Sequence, residues 1–491
     1  MTERDTQLAR VLLIGLLGLS ACVTIGHLLW YSATPLGLYP VLDSREILTL
    51  AGQWAKGQVS EPFYRAPLYP ALLSVLIRLE VAPSEVIFWS RLLNGVLHVI
   101  TVGLIYLTAK QVWSSATAAL IAGVLYAAYP VALFFAADLL DITLAMTLMA
   151  AGIYAAIRAT ESAEARWFLF ATVLFVLAAF ARPQMYGFVG GWVLFVIVLH
   201  RKHFFTVFIP ALVLVASFGA LNYSLSGEFR VLPWQGAYNL WAANHSDSNG
   251  RYLEQSREFT GTIDAINPAR ADAEQAYRRA RPHGPFSIDA STSYWRQRTI
   301  EAVLENPIGW ARLLAAKFFY LVNQFEQYNN KTYSYHKGGS PWLAWNPLSW
   351  GILLLPGVLG LALLFATDRG RLLALLLIGY AGVLMLTFVS ARFRLPLVPI
   401  LCVLAGGALF ELRRVRKRLI SVAVVLLLGV LSFYPLEESE VESTYVQDEL
   451  LLARASLNVS DLETADLYLT KALNRVPGHR VGLELQCLLD F

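Results

Sequence analysis

Charge is what this chain has least of. Of its 491 residues only 15% are charged, against about 25% in a soluble domain. Hydrophobic residues make up 56%, aromatic residues 12%, and the mean hydropathy is +0.52. Together these exclude a water-soluble protein of this size. The 39 basic and 35 acidic residues nearly cancel, leaving a formal net charge of +4, so no nucleic-acid partner is indicated. Cysteine is as scarce. Cys22, Cys402 and Cys487 cannot build a disulfide framework, and two of them lie in apolar runs, where they read as packing residues. There is no phosphate-binding glycine loop and no dinucleotide fingerprint. His27, His98 and His245 lack metal-ligand spacing, so no metal site is assigned. No internal repeat dominates the apolar part.

What fills the sequence instead is one apolar run after another. They lie near 8–31, 84–109, 115–135, 138–158, 166–181, 186–199, 203–222, 348–366, 371–389, 395–411 and 418–435. That predicts a mostly α, polytopic membrane helix bundle of roughly eleven spans. "LLGLSAC" before Cys22 has the look of a lipoprotein signal, but the run continues to Trp30, so a retained helix is expected. Short cytoplasmic loops collect Lys and Arg. With Arg4 and Arg10 inside, Lys110, Arg158, "HRKH" (200–203), "DRGR" (368–371) and "RRVRKR" (413–418) all fall inside, provided 309–326 does not cross. That segment is short and carries Arg312 and Lys317, so it is expected to lie along the interface. The chain then divides into an N-terminal transmembrane module, 1–222, with a first outer loop at 32–83; an outer domain, 223–347; C-terminal transmembrane helices, 348–435; and an outer tail, 436–491.

The outer loop is not a linker. "DSREILTLAGQWAKG" brings Ile47, Leu48, Leu50, Ala51 and Trp54 near one helical face, and "FYRAPLYPALLSVLIRLE" offers a second apolar helix too short to span. Two helices along the outer interface would hold Asp43 at the membrane edge, where a carboxylate costs far less than the ~3 kcal/mol of the bilayer centre.

These residues resemble the first outer loop of bacterial GT-C glycosyltransferases, the polyprenyl-phosphate-sugar-dependent enzymes related to protein mannosyltransferases and the lipid A aminoarabinose transferase. Three later stretches agree in order: "WQGAYNLWAANHSDSNGRY" (234–252), "ENPIGWARLLAAKFFYLVNQFEQYNN" (305–330) and "FVSARFRLPLVPILCVLAG" (388–406). The resemblance implies glycosyl transfer from a polyprenyl phosphate to an acceptor hydroxyl on a glycan, lipid or protein, in the bacterial cytoplasmic membrane with the site facing the periplasm. Such a reaction needs a base for the hydroxyl proton and cations for the departing phosphate.

On that footing Asp43 is the expected base; it can equally cap the helix that follows it. Glu46 is expected to be a solvated first-turn residue. Arg392 and Arg394, at an outer helix mouth, suit the donor phosphate, or else snorkel to lipid headgroups. Arg182, an outer arginine before a proline, joins them. Tyr64 and Arg65 can touch either substrate. Lys317 matches the family's lysine and Glu326 its acid before "NN"; Glu326 then takes a catalytic role or else makes a polar structural contact. Where the family often has Glu at the head of the fourth span, this chain has Asp138 and Asp141. Their spacing predicts a shared helix face, able to hold a divalent cation with waters or to partner the helix dipole.

The tail is of another kind. "DLETADLYLTKALNRVPG" (461–478) spaces Ala465, Leu469, Ala472 and Pro477 like a tetratricopeptide second helix. One hairpin cannot bury its own face, so it must pack on the outer domain, another copy or a protein partner. Two other functions remain open: a flippase for a lipid-linked sugar, or an assembly scaffold using the tail. A transporter should carry mid-membrane charges and paired broken helices, whereas the charges here sit at outer ends.

Overall fold

The computed structural model describes residues 3–490 except 60, 80–81, 252–266, 283, 285, 412–418 and 438–443. The basic stretch 413–418 thus lies outside the described residues. Among those described the chain is helical, without strands; two isolated bridges, Arg251 with Val389 and Asn329 with Lys331, are the exceptions.

Among the described residues six helices are long and apolar enough to cross a membrane: Ala9–Ser32 (in α1, Glu3–Ser32), Ser84–Trp113 (in α5, Pro83–Trp113), Ile142–Ser162 (α8), Arg201–Ser226 (holding α11, Phe204–Ser226), Asp368–Leu386 (α18) and Ala391–Phe410. The last runs from a single turn, α19 (Ala391–Arg394), into α20 (Val398–Phe410). A seventh span forms if α6 (Ala116–Ala127) and α7 (Pro130–Ala136), bent by 55°, are taken together. Pro130 opens α7 and ends the ladder of α6. The other four expected spans coincide with shorter apolar helices, 165–181, 183–199, 350–364 and 423–433. Peripheral helices turn large apolar side chains outward, among them Ile14, Leu19, Phe205, Leu212, Leu427 and Val430, as lipid-facing surfaces do. α20 is enclosed on every side by its neighbours, and Gly406 meets the Ala118 carbonyl of α6 with no room for a Cβ.

Three short helices follow the first span: α2 (Pro35–Leu38), α3 (Leu42–Ala55) and α4 (Leu68–Arg78). α3 and α4 bury Ile47, Ala51, Tyr69 and Leu73 against the bundle. The segment 223–347 holds α12 (Gln235–Ala242), α13 (Pro268–Ala280), α14 (Ile288–Glu305), α15 (Pro307–Val322) and α16 (Tyr333–Gly339). Its own small core joins Tyr238, Ala269, Ala273, Tyr277 and Trp295. After α17 (Trp350–Leu364) and α21 (Leu419–Phe433), the tail forms α22 (Tyr445–Asn458), α23 (Leu462–Arg475) and α24 (Arg480–Asp490).

Candidate active site

Asp43 stands in the first turn of α3. It is not the cap: Val41 takes that position, and no side chain caps the helix. Leu42, just before it, is held at φ +49, a conformation a branched side chain adopts only when its surroundings impose it. The Asp43 carboxylate accepts from Arg65 on one oxygen and from Arg392 Nη1 at 2.8 Å on the other, with a further hydrogen bond from the Asn330 side chain. Burial pushes this carboxyl up, but Arg65 and Arg392 outweigh it and hold it well below the usual carboxylate range. Arg45, two residues further along α3, lies over the Tyr39 ring.

Arg65 is placed by a loop fastened to the outer domain. Phe63 N–H donates to Asn222 at 3.0 Å, and Trp234 N–H donates to the Phe63 carbonyl at 3.1 Å. Arg65 also pairs with Glu46. Glu46 is therefore buried, not solvated; its other oxygen accepts from Asn267 at 2.9 Å. Here burial prevails over Arg65, and the Glu46 carboxyl is raised.

Asp138 and Asp141 do not share a helix face. Both precede α8 in an irregular turn, and they point to different cations. Asp138 accepts from Lys331 at 2.7 Å and from Ser44 Oγ at 3.0 Å, and Lys331 also donates to Tyr31 at 2.9 Å. Asp141 pairs with Arg182 at 2.7 Å. Each carboxylate has its own cationic partner, so the shared helix face on which both the cation and the dipole readings rested is not formed. Among the described residues no three His, Cys, Asp or Glu side chains gather as metal ligands.

Arg182 owes its position to Pro183. A residue before proline is driven extended, and at φ −152, ψ 113 it ends α9 (Ala165–Ala181) and turns into the site before α10 (Tyr186–Leu199). Its guanidinium lies 4.5 Å from the centre of the Phe393 ring, and Arg392 lies 5.8 Å from the same centre. The Nε atoms of both arginines are buried without a partner. Asp43, Glu46, Asp138 and Asp141 are thus interleaved with Arg65, Arg182, Arg392 and Lys331 in one network between the outer loop and the bundle.

Arg392 and Arg394 part company because residues two apart on a helix do not face each other. Arg394 is 1% exposed. It donates to the carbonyls of Tyr320, Asn323 and Phe325, pairs with Glu326 at 2.8 Å and stacks over Trp350. Both Nη atoms are spent on these partners, so the structure places Arg394 as a clamp on the end of α15 and not beside Asp43; its Nε is buried without a partner. Glu326 is the other half of that clamp, and Tyr129, at the α6–α7 bend, donates to it at 2.9 Å. Held by these two partners, it stands in the clamp and not in the network around Asp43. Lys317 is fully buried, with Nζ donating to Asn244 at 3.0 Å and to the Met385 carbonyl at 3.2 Å. Burial pulls its ammonium down to about 8. It ties α15 to α18 and does not face a donor. Tyr64 packs edge-on against Trp234 in a shallow aromatic cleft with Tyr238 and Trp295, beside the network and not in it.

Four members were not expected: Ser44, Glu46, Asn330 and Lys331. Asn330 closes the "NN" stretch and Lys331 follows it; Asn330, at φ +65, holds the left-handed turn asparagine tolerates.

Residues 64–222 match the family model described as dolichyl-phosphate-mannose-protein mannosyltransferase. The match takes in the end of the first outer loop, 64–83, and stops short of Asp43 and of the stretches at 234–252, 305–330 and 388–406. No curated protein matches the chain. Among solved structures, ArnT from Cupriavidus metallidurans bound to undecaprenyl phosphate is similar, at 15% identity over 94% of this chain and 76% of that one, with a TM-score of 0.45. The Archaeoglobus fulgidus oligosaccharyltransferase in the apo form is 13% identical over 90% of this chain and 56% of that one, at a TM-score of 0.45. A complex of the archaeal oligosaccharyltransferase AglB from Archaeoglobus fulgidus, with an inhibitory peptide and a dolichol-phosphate, is 14% identical over 90% and 56%, at 0.42.

Proposed function

We propose that this multi-pass membrane protein is a glycosyltransferase that moves a sugar from a polyprenyl-phosphate donor to the hydroxyl of a lipid, glycan or protein. In this reading the site faces the periplasm from the bacterial cytoplasmic membrane, with the N-terminus inside and the tail outside. The observation that carries it is Asp43: an ionised carboxylate on a juxtamembrane helix, held between two arginines, one of which has a buried, unused donor. The family match over 64–222 supports the reaction class.

The chemistry follows from that arrangement. The acceptor oxygen bonds to the anomeric carbon, its proton passes to Asp43, and the carbon–phosphate oxygen bond breaks. The charge left on the lipid phosphate goes to Arg392 and Arg182, whose planar forks suit it. Phosphate arriving at Arg392 competes with Asp43 for that guanidinium. Donor binding thereby weakens one of the pairs that keep Asp43 a poor base and makes it a better one when it is needed. Lys331 and Asn330 fix Asp138 and Asp43 without touching substrate.

The test of substrate class is transfer of labelled sugar by the purified protein in lipid vesicles. Transfer from a polyprenyl-phosphate sugar and none from a nucleotide sugar is expected. Transfer from the nucleotide sugar alone would overturn the reading.

A further inference from the structure

The tail reaches the site, and the contact is polar and specific. Asp448 on α22 is fully buried. Its two carboxylate oxygens accept the Thr332 backbone N–H at 2.9 and 3.1 Å, and His336 Nε2 lies 2.8 Å from one of them. Thr332 follows Lys331, which holds Asp138, and Asn330, which holds Asp43. The same face of α22 sets Leu451, Leu452 and Ala455 against Val41 and Ala137. Val41 precedes Asp43 by two residues and Ala137 adjoins Asp138. One tail helix therefore joins the network's surroundings in two ways, through Asp448 at Thr332 and through the apolar cluster that includes Val41 and Ala137. A buried carboxylate is a costly way to fasten a backbone; an apolar contact would serve if only packing were needed.

We infer that Asp448 is a positioning residue for sugar transfer: it fixes the backbone at Thr332, and through it holds Lys331 and Asn330 on Asp138 and Asp43. This rests on the transferase reading above. His336, stacked 5.8 Å from the Phe134 ring, supplies the second partner and keeps the Asp448 carboxylate aimed. The tail acts as a buttress in cis for the site, not only as a platform for a partner.

The experiment has two arms on the full-length protein in lipid. In the first, kcat and donor KM are measured for wild type, Asp448→Ala, Asp448→Asn, Lys331→Met and the Lys331→Met/Asp448→Ala pair. Misplacing a catalytic constellation by an ångström costs about 10²-fold, so Asp448→Ala should lower kcat by that order with donor KM little changed. Asp448→Asn keeps an acceptor for Thr332 and should recover most of it. In the Lys331→Met background the second substitution should cost clearly less than it does in wild type, because one of its two routes is already gone, whereas independent effects would multiply. Leu469→Ala trims the hairpin's own core but leaves Asp448 and its partners in place, so it should keep kcat. Losses that multiply in the double variant, or an equal kcat loss in Leu469→Ala, would overturn the inference. The second arm is amide hydrogen exchange at Thr332, slow in wild type and faster in Asp448→Ala. Unchanged exchange overturns the tie itself. A wild type that transfers no sugar from a polyprenyl phosphate would sink the transferase reading and leave exchange to decide the tie.

Discussion

Asp43 and Glu46 sit one turn apart on the same helix, share Arg65, and are driven in opposite directions. Arg392 and Arg65 hold Asp43 low; burial lifts Glu46. A carboxyl whose folded pKa is lowered stabilises the fold above its unfolded value and loses that contribution as pH falls through the folded one. A carboxyl whose folded pKa is raised opposes folding at neutral pH and is relieved on acidification. Glu46→Gln, which keeps the Asn267 contact, should therefore raise thermal stability at pH 7 and erase the gain that wild type shows on mild acidification. Unfolding scans from pH 7 to 5 in detergent check this, and a loss of stability at pH 7 would contradict it. Arg394 makes the opposite case. With Glu326 and the carbonyls at the end of α15 on its guanidinium, Arg394→Met should cost about 3–5 kcal/mol, the range for breaking a buried pair. The loss should appear in the unfolding midpoint, while donor affinity in the folded fraction is kept. A folded Arg394→Met with weakened donor binding would restore the phosphate role.

Elements carry these residues into place by local chain chemistry. Pro183 turns Arg182 out of α9, Pro130 bends α7 so that Tyr129 meets Glu326, and the single turn α19 sends Arg392 and Arg394 apart. α10, which begins just after Arg182, is seated on α18 by a glycine contact. A Cβ on Gly379 would run into the Gly187 carbonyl, and one on Gly187 into the Gly379 carbonyl. Gly379→Leu should force the helices apart, cost about 1–3 kcal/mol as overpacking does, and lower transfer by displacing Arg182. A stability and turnover comparison with Gly382→Leu, where a Cβ meets nothing, checks it. Similar losses in both would show that packing here does not govern the site. Apolar runs and prolines made the helices and the outer loop legible in the sequence, and an acid just past the first span marked Asp43. Pairings were not legible. Nothing in the spacing of Asp138 and Asp141 shows that the turn before α8 breaks their common face. Nothing in "SARFR" tells which arginine meets a carboxylate and which meets carbonyls. Lys331 was hidden because its partner lies 193 residues away.

For the whole molecule, the eleven runs, the charge rule and the outward apolar residues describe one bundle with its polar network gathered at one end. The proposed topology puts that end, the outer domain and the tail on the same side. Cysteines introduced at exposed Lys202 and Arg475, in a Cys-free background, should label with opposite sidedness in intact cells, Arg475→Cys from outside. Labelling of both from one side would contradict the topology. The central claim is that Asp43 takes the acceptor proton, and one measurement meets it head on. Transfer of labelled sugar from a polyprenyl phosphate is followed for wild type and Asp43→Asn in the same vesicles, with donor binding measured in parallel. The amide keeps the size and cannot accept the proton, so turnover should fall at least ~10²-fold while donor affinity changes only a few-fold. Near-normal turnover by Asp43→Asn would contradict the account.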